Sequence, residues 1–272
     1  MLNFYADIDA EYAEGSYVLF TYDHYGETKT VRADLNSKNT YKAGQKTYYA
    51  FGCPLSISEM TIDVTAELYL AGSTEPVSVK NGSIASYCDR MLTADSINEK
   101  TRDALKALLN FGGYTQLALG LNTDSLANAA YQDDMNSVTV VPSGEFVKPE
   151  EKVGGVQYLG AQLAMRDSVN CRYVFAVDSL DGVTFTINGK EVTPVKMGKS
   201  GKNYYIDAEA AKAVNLANVN EITVSTASGD ITFKHSIMDY AYGKADGDDE
   251  NLSNAMKAMY DYYQKVTAYV NQ

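Results

Sequence analysis

Hydrophobic and polar positions along the chain switch between two periods, and the switch happens twice. Leu2 to Ile8 alternates as a strand, and Tyr17-Val18-Leu19-Phe20-Thr21-Tyr22 is a strongly β-prone run. Asp23-His24-Tyr25-Gly26 reads as a turn, with Thr28 to Leu35 returning as its partner strand. Thr47–Phe51, Thr61–Leu70 and Val77–Val79 are further strands, the last two separated by a break at Gly72-Ser73-Thr74-Glu75-Pro76. The period then lengthens. Ile84, Tyr87, Cys88 and Met91 fall at helical spacing behind an Asn81-Gly82-Ser83 start signal, and a second helix is predicted from Glu99 to Leu119. Gly112-Gly113 inside that helix predicts a break or a close backbone approach.

The second half follows the same plan. Tyr158–Met165, Arg172–Val177, Val183–Ile187, Glu191–Val195, Asn203–Asp207, Glu221–Thr226 and Asp230–Lys234 read as strands, with Asn188-Gly189 a type I′ hairpin signal. Helices are predicted at Ser236–Lys244 and Asn251–Val270. Short motifs recur in order. Ser83-Ile84-Ala85-Ser86-Tyr87 is matched by Ser236-Ile237-Met238-Asp239-Tyr240, and Lys106-Ala107-Leu108 with Phe111 by Lys257-Ala258-Met259 with Tyr262. Tyr48-Tyr49 is matched by Tyr204-Tyr205. A long-period duplication of this kind defines the architecture. The expected fold class is α+β: two similar lobes, each an antiparallel β-sandwich-like sheet followed by a two-helix hairpin. The expected domains are a first repeat at 1–130, a linker at 131–155 and a second repeat at 156–272. The linker holds Asp133-Asp134, prolines and glycines, with Val138–Val141 a candidate short strand. Tyr87 and Tyr240 are expected to be equivalent and substantially buried.

Composition narrows the function. At 272 residues the chain fits two domains, each able to bury a core. A net charge of −12 argues against nucleic acid and against anionic membranes, because both need clustered Lys and Arg. No apolar run approaches membrane-spanning length, and no charged-then-apolar leader is seen, so an exported protein would have lost its signal. Cys53, Cys88 and Cys171 are too few for a disulfide framework and read as buried thiols, with a Cys53–Cys88 pairing left open. The chain has 22 Tyr and no Trp, a balance suited to half-exposed surfaces with an apolar face and a polar tip.

Leu109 to Gln116, followed by Leu121 to Asn128, resembles a recurring pattern in large exported proteins of anaerobic gut bacteria. Phe51-Gly52-Cys53-Pro54 with Glu59-Met60 and Ile62 is similar to the same family, as is Leu159 to Leu163 with Arg172 to Phe175. Such modules sit beside glycan-handling modules, and some resemble the two-lobed starch-adherence modules of cell-surface amylosomes. The resemblance implies fold, export to the cell surface, membership of a larger multimodular protein and glycan binding. It implies no binding residues.

No catalytic fingerprint stands in the chain. His24 and His235 are isolated in sequence and read as a turn histidine and a helix-start histidine. Asp246-Gly247-Asp248-Asp249-Glu250 lacks EF-hand spacing and reads as a helix start rather than a calcium site. No metal and no cofactor is expected. Tyr22, Tyr25, Tyr41, Tyr131 and Tyr242 have no equivalent tyrosine in the other half, and several lie at turns, where a ring is placed to meet a ligand. With Asp23 and His24 as polar partners, they are the candidate glycan-binding residues. The expected function is non-catalytic binding of an α-glucan such as starch, gripped by tyrosine stacking in a groove between or beside the lobes. A structural spacer on a cell-surface protein is the alternative, and a hydrolase the least favoured reading.

Overall fold

The computed structural model describes residues 1–165, 168–199, 201–210 and 212–271. The chain divides into two compact units, Met1–Gln132 and Asp133–Gln272. Among the described residues it is an α+β structure with four antiparallel sheets and five α-helices.

The first unit contains β1 (Leu2–Ala6), a short α1 (Ala10–Ala13), β2 (Tyr17–His24), β3 (Glu27–Asp34), β4 (Thr40–Ala43), β5 (Lys46–Cys53), a 3-10 turn at Ile57–Glu59, β6 (Val64–Tyr69), β7 (Ser78–Gly82), α2 (Ile84–Leu92) and α3 (Glu99–Leu119). Its sheets run β1-β5-β4 and β3-β2-β6-β7. Alternation along each strand drives one face of each sheet inward. Val18, Phe20 and Tyr22 of β2, Phe51 and Cys53 of β5, and Val64 and Ala66 of β6 form one shared core. A second cluster, Met60, Cys88, Leu92, Leu109 and Ala127, seats the two helices.

The second unit contains β8 (Val156–Ala164), β9 (Asn170–Val177), β10 (Thr184–Ile187), β11 (Lys190–Val192), β12 (Val195–Lys196), β13 (Asn203–Glu209), β14 (Asn220–Thr226), β15 (Gly229–His235), α4 (Ile237–Ala245) and α5 (Glu250–Val270). Its sheets run β12-β13-β9-β8 and β11-β10-β14-β15. The pairing order β3-β2-β6-β7 thus recurs as β11-β10-β14-β15, and β1-β5-β4 recurs as β9-β13-β12 with β8 added outside β9. In both units the last strand runs into a serine that caps the next helix. Ser83 Oγ accepts from the Ser86 amide and Ser236 Oγ from the Asp239 amide, and each partner side chain reaches back to the cap, completing a capping box.

Helix α3 explains the glycine pair. A Cβ on Gly113 would lie 1.9 Å from Asn128 Oδ1, and one on Gly112 would lie 2.4 Å from Met60 Sδ. The loop after α3 therefore presses on the helix backbone. Gln116 holds it there. Its Nε2 donates to the carbonyls of Asn122 and Ser125, and its Oε1 accepts from the Ala127 amide at 2.8 Å. Asn122, at φ 53°, donates from Nδ2 to the Ser58 carbonyl. The run from Leu109 to Asn128 singled out in the sequence is, physically, this clasp.

Several expectations are corrected. Tyr87 is 43% exposed with the Arg90 guanidinium 5.6 Å from its ring, and Tyr240 is only half-buried. The inward stripe of α2 is Cys88 and Leu92 at i and i+4, which turns Tyr87 off the core. Val138–Val141 joins no ladder among the described residues. The segment read as linker is packed: Met135 and Val140 are buried, and the Phe146 ring lies 4.6 Å from that of His235. The run Glu191–Val195 splits between β11 and β12, which belong to different sheets. The cysteine reading, by contrast, holds: Cys53, Cys88 and Cys171 are three separate buried thiols, each pushed up to about 12 chiefly by burial.

Two substitutions test the clasp. Gly113→Ala should destabilise the first unit by about 1–3 kcal/mol, because the methyl group must displace the buried Asn128 amide. Gly243→Ala, on the exposed face of α4 with nothing within 4 Å, should be neutral or stabilise by up to about 1 kcal/mol. Chemical denaturation measures both. Equal effects would contradict the close approach.

Candidate functional site

Two places bring chemistry-bearing side chains together in the first unit. The first is at the tip of the β2–β3 hairpin. Tyr25 and Gly26 both have positive φ, 56° and 87°, as a type I′ turn requires. Asn188 and Gly189 make the corresponding turn between β10 and β11 at φ 53° and 75°. A tyrosine is costly in this left-handed region, where asparagine is at ease. Its hydroxyl compensates by bonding Ser56 Oγ at 2.8 Å and Ser58 Oγ at 3.1 Å. Beside it, His24 Nδ1 meets Glu59 Oε1 at 2.7 Å, and the Glu59 side chain is 1% exposed. The second carboxylate oxygen of Glu59 accepts from the Ser56 amide at 2.9 Å. Glu59 is thus the far half of a capping box at the 3-10 turn and also the partner of a histidine.

This cluster unites a base, the carboxylate that orients it, and two serine hydroxyls. Its hydroxyls bond Tyr25 and each other, with Ser56 Oγ and Ser58 Oγ 3.2 Å apart. The network ties a strained turn to the segment after β5. Ser56 and Ser58 escaped the sequence reading, and Glu59 entered it only within the resemblance, although Ser56-x-x-Glu59 carries the capping-box spacing.

The second place is the outer face of the sheet β1-β5-β4. Tyr5 and Tyr41 are 54% and 57% exposed, with ring centroids 5.7 Å apart and planes inclined at 60°. They flank β5, where Tyr5 pairs with Ala50 and Tyr41 with the half-buried Tyr48. The small Ala50 leaves room for the two rings to meet across the strand. Polar groups border them: Lys46 Nζ bonds Asp7 Oδ2 at 2.7 Å, and Asn39 Nδ2 donates to the Ala50 carbonyl. Tyr5 went unremarked in the sequence, although the alternation of Leu2, Phe4, Ala6 and Ile8 places it on the opposite face of β1.

The sequence-predicted residues separate accordingly. Tyr22, His24 and Tyr25 come together, and Asp23 accepts from the Gly26 amide to close the turn. Tyr22 is 3% exposed within the core and its hydroxyl donates to the Pro54 carbonyl, so its ring has no open face for a sugar. Tyr41 belongs to the exposed pair. Tyr131 packs on the helix cluster with Lys106 Nζ 6.0 Å from its ring. Tyr242 stands 53% exposed on α4 in the second unit. Among the described residues no group of three or more His, Cys, Asp or Glu side chains could hold a metal ion. Among the described residues no helix is long and apolar enough to cross a membrane. The acidic run before α5 acts as a cap, with Asp249 accepting from the Leu252 amide.

His235 has a different setting from His24. It is buried, with Nδ1 3.6 Å from Cys171 Sγ and the Phe146 ring edge-on at 4.6 Å. Burial lowers its pKa, and the nearby Asp239 opposes the shift less strongly. A depressed histidine favours the fold above its unfolded pKa, near 6.5, and withdraws that support as pH falls through the lowered value.

The Tyr25 hydroxyl should contribute measurably. Tyr25→Phe is expected to cost the first unit about 1–2 kcal/mol in denaturant, since it leaves the left-handed backbone without its two hydroxyl bonds; no loss would mean the bonds are not holding the turn. In an NMR titration the His235 ring should show a midpoint below 6.5, and a midpoint at or above that value would contradict its burial. No protein-family model, curated protein or solved structure gives a significant match to the chain, so its function is argued from these residues.

Proposed function

We propose that the chain is a non-catalytic glycan-binding module built from two repeated lobes, with α-glucan as its ligand and the cell surface as its place of work. The observation that carries the reading is the exposed Tyr5–Tyr41 pair. Two rings held on a sheet face with their outer sides open offer the C–H faces of successive sugars an apolar surface, while bordering polar groups take the hydroxyls. The 60° inclination favours a curved chain over a flat one. An α-1,4-glucan coils, whereas a β-1,4-glucan lies as a ribbon that suits coplanar rings. Tyr242 supplies an exposed ring in the other unit, and two units contacting one polymer would gain effective concentration.

The repeat reading rests on the shared pairing order of the strands and the paired serine capping boxes. The polar cluster at His24 is assigned to holding the fold: both Glu59 oxygens and both serine hydroxyls already have protein partners. A spacer role remains the second reading, favoured by two bodies that each possess their own core.

Calorimetry with long maltooligosaccharides tests the proposal. Tyr5→Ala and Tyr41→Ala should each weaken binding by about 1–3 kcal/mol, by analogy with aromatic platforms that stack bases. Tyr22→Phe should leave it unchanged. No heat with the native chain, together with no retention on washed insoluble starch, would remove the glycan reading and leave the spacer.

A further inference from the structure

We infer that the free edge of β1 is a docking site for an extended polypeptide strand, which adds to the sheet beside β1 as β8 adds beside β9. The inference rests on the equivalence of the two units and is independent of the glycan reading.

In the second unit β9 lies between β13 and β8. In the first, β1 pairs with β5 alone, so one row of its amides and carbonyls has no neighbouring strand among the described residues. The register makes the comparison residue by residue. Val64 pairs with Gly82 and Ala66 with Lys80, while Asn220 pairs with His235 and Ile222 with Phe233. Each set ends at the serine that caps the next helix, so Lys80 takes the place of Phe233. In the second unit β8 covers this place. Tyr158 is buried, its ring 4.5 Å from that of Phe233 and 5.5 Å from that of Phe175.

In the first unit the corresponding space is open. It is a cavity of about 60 Å³ lined by Phe4, Ala6, Val18, Phe51, Leu68 and Lys80, among others, and it lies between the edges of the two sheets. Phe4, Ala6 and Leu68 are only partly buried against the core, as expected of a core with one wall missing. The wall contributed by β7 is polar, Ser78 and Lys80, where β15 offers Ile231 and Phe233. This composition fixes the occupant's chemistry. Alternate side chains of the incoming strand face the core, as in any strand addition. The one over Ala6 and Leu68 is aromatic, entering the cavity as Tyr158 does, and the Lys80 ammonium lies over its ring face, where a cation is attracted by the ring's quadrupole. Lys80 also keeps the empty edge soluble and discourages a purely aliphatic strand.

The chain's own β8 sequence, Val156–Ala164, is a ready probe, because it has this pattern with tyrosine at the cavity position. A labelled nonapeptide of that sequence is titrated into the full chain, followed by fluorescence anisotropy and by backbone amide NMR. The expected result is saturable binding with shifts at Leu2–Ala6 and Ser78–Gly82. A peptide carrying Tyr158→Ser should bind about tenfold more weakly or worse, since the anchoring ring is lost. Lys80→Glu in the protein should weaken the tyrosine peptide in the same direction. Asn3→Pro places a ring on the edge strand and is a second protein-side variant; the peptide pair keeps the test decisive if that variant does not fold. Three outcomes would overturn the inference: no saturable binding, shifts confined to β9, or equal affinity of the two peptides. So would dimers by light scattering that occupy β1 with a second copy.

Discussion

Each unit has to cover the inner faces of two antiparallel sheets, and in the first unit the sheets are unequal. A strand alternates its side chains, so every strand added to one sheet needs an opposing surface on the other. The second unit meets this with four strands against four. The first has three against four, and the shortage propagates through the residues nearby. Lys80 and Ser78 stand where Phe233 and Ile231 would be buried, Ala6 stands across from Tyr49 without an outer neighbour, and a small cavity opens toward Phe51. The same narrow sheet turns its outer face to solvent and carries Tyr5 and Tyr41 there. The features singled out in the first unit as a surface for ligands or partners cluster on its three-stranded side.

Helices and turns were legible because their signals are local. The helix expected at about Glu99–Leu119 is found there, with Asn98 as its cap and Gly120 in the left-handed conformation at its end. Asn188-Gly189 announced its turn. What was hidden depends on partners distant in sequence. Nothing in Glu191–Val195 states that the chain changes sheets in the middle of it. The segment at 131–155 has the composition of a linker, yet the amides of Ser143 and Gly144 bond Asp239 and Phe146 packs beneath β15, contacts decided some ninety residues away. Tyr87 and Cys88 are equally plausible inward residues of a short helix until the neighbouring helix selects the stripe. The strand β4, exposed along its length, has no inward face for a periodic pattern to mark.

The candidate site divides on the same principle. Excess tyrosine indicated an aromatic surface, but which rings face outward is a matter of strand parity. Tyr22 and Tyr41 look alike in sequence; one closes the core with a bond to Pro54 and the other lies open beside Tyr5. His24 and His235 look equally isolated, yet each finds a specific pocket: Glu59 and the Tyr25 ring for one, Cys171 and Phe146 for the other. The strained Tyr25 turn and the α3 glycines are solutions to close packing, and they account for motifs that would otherwise be credited to chemistry.

The account turns on the missing fourth strand of the first unit, and amide hydrogen exchange measures it directly. The prediction is that the β1 amides directed away from β5 exchange quickly in the free protein, while β9, paired on both sides, is protected at every position along its ladder with β8 and β13. Uniform protection of β1, matching that of β9, would show that its edge is already covered and would contradict the unequal pairing on which the rest depends.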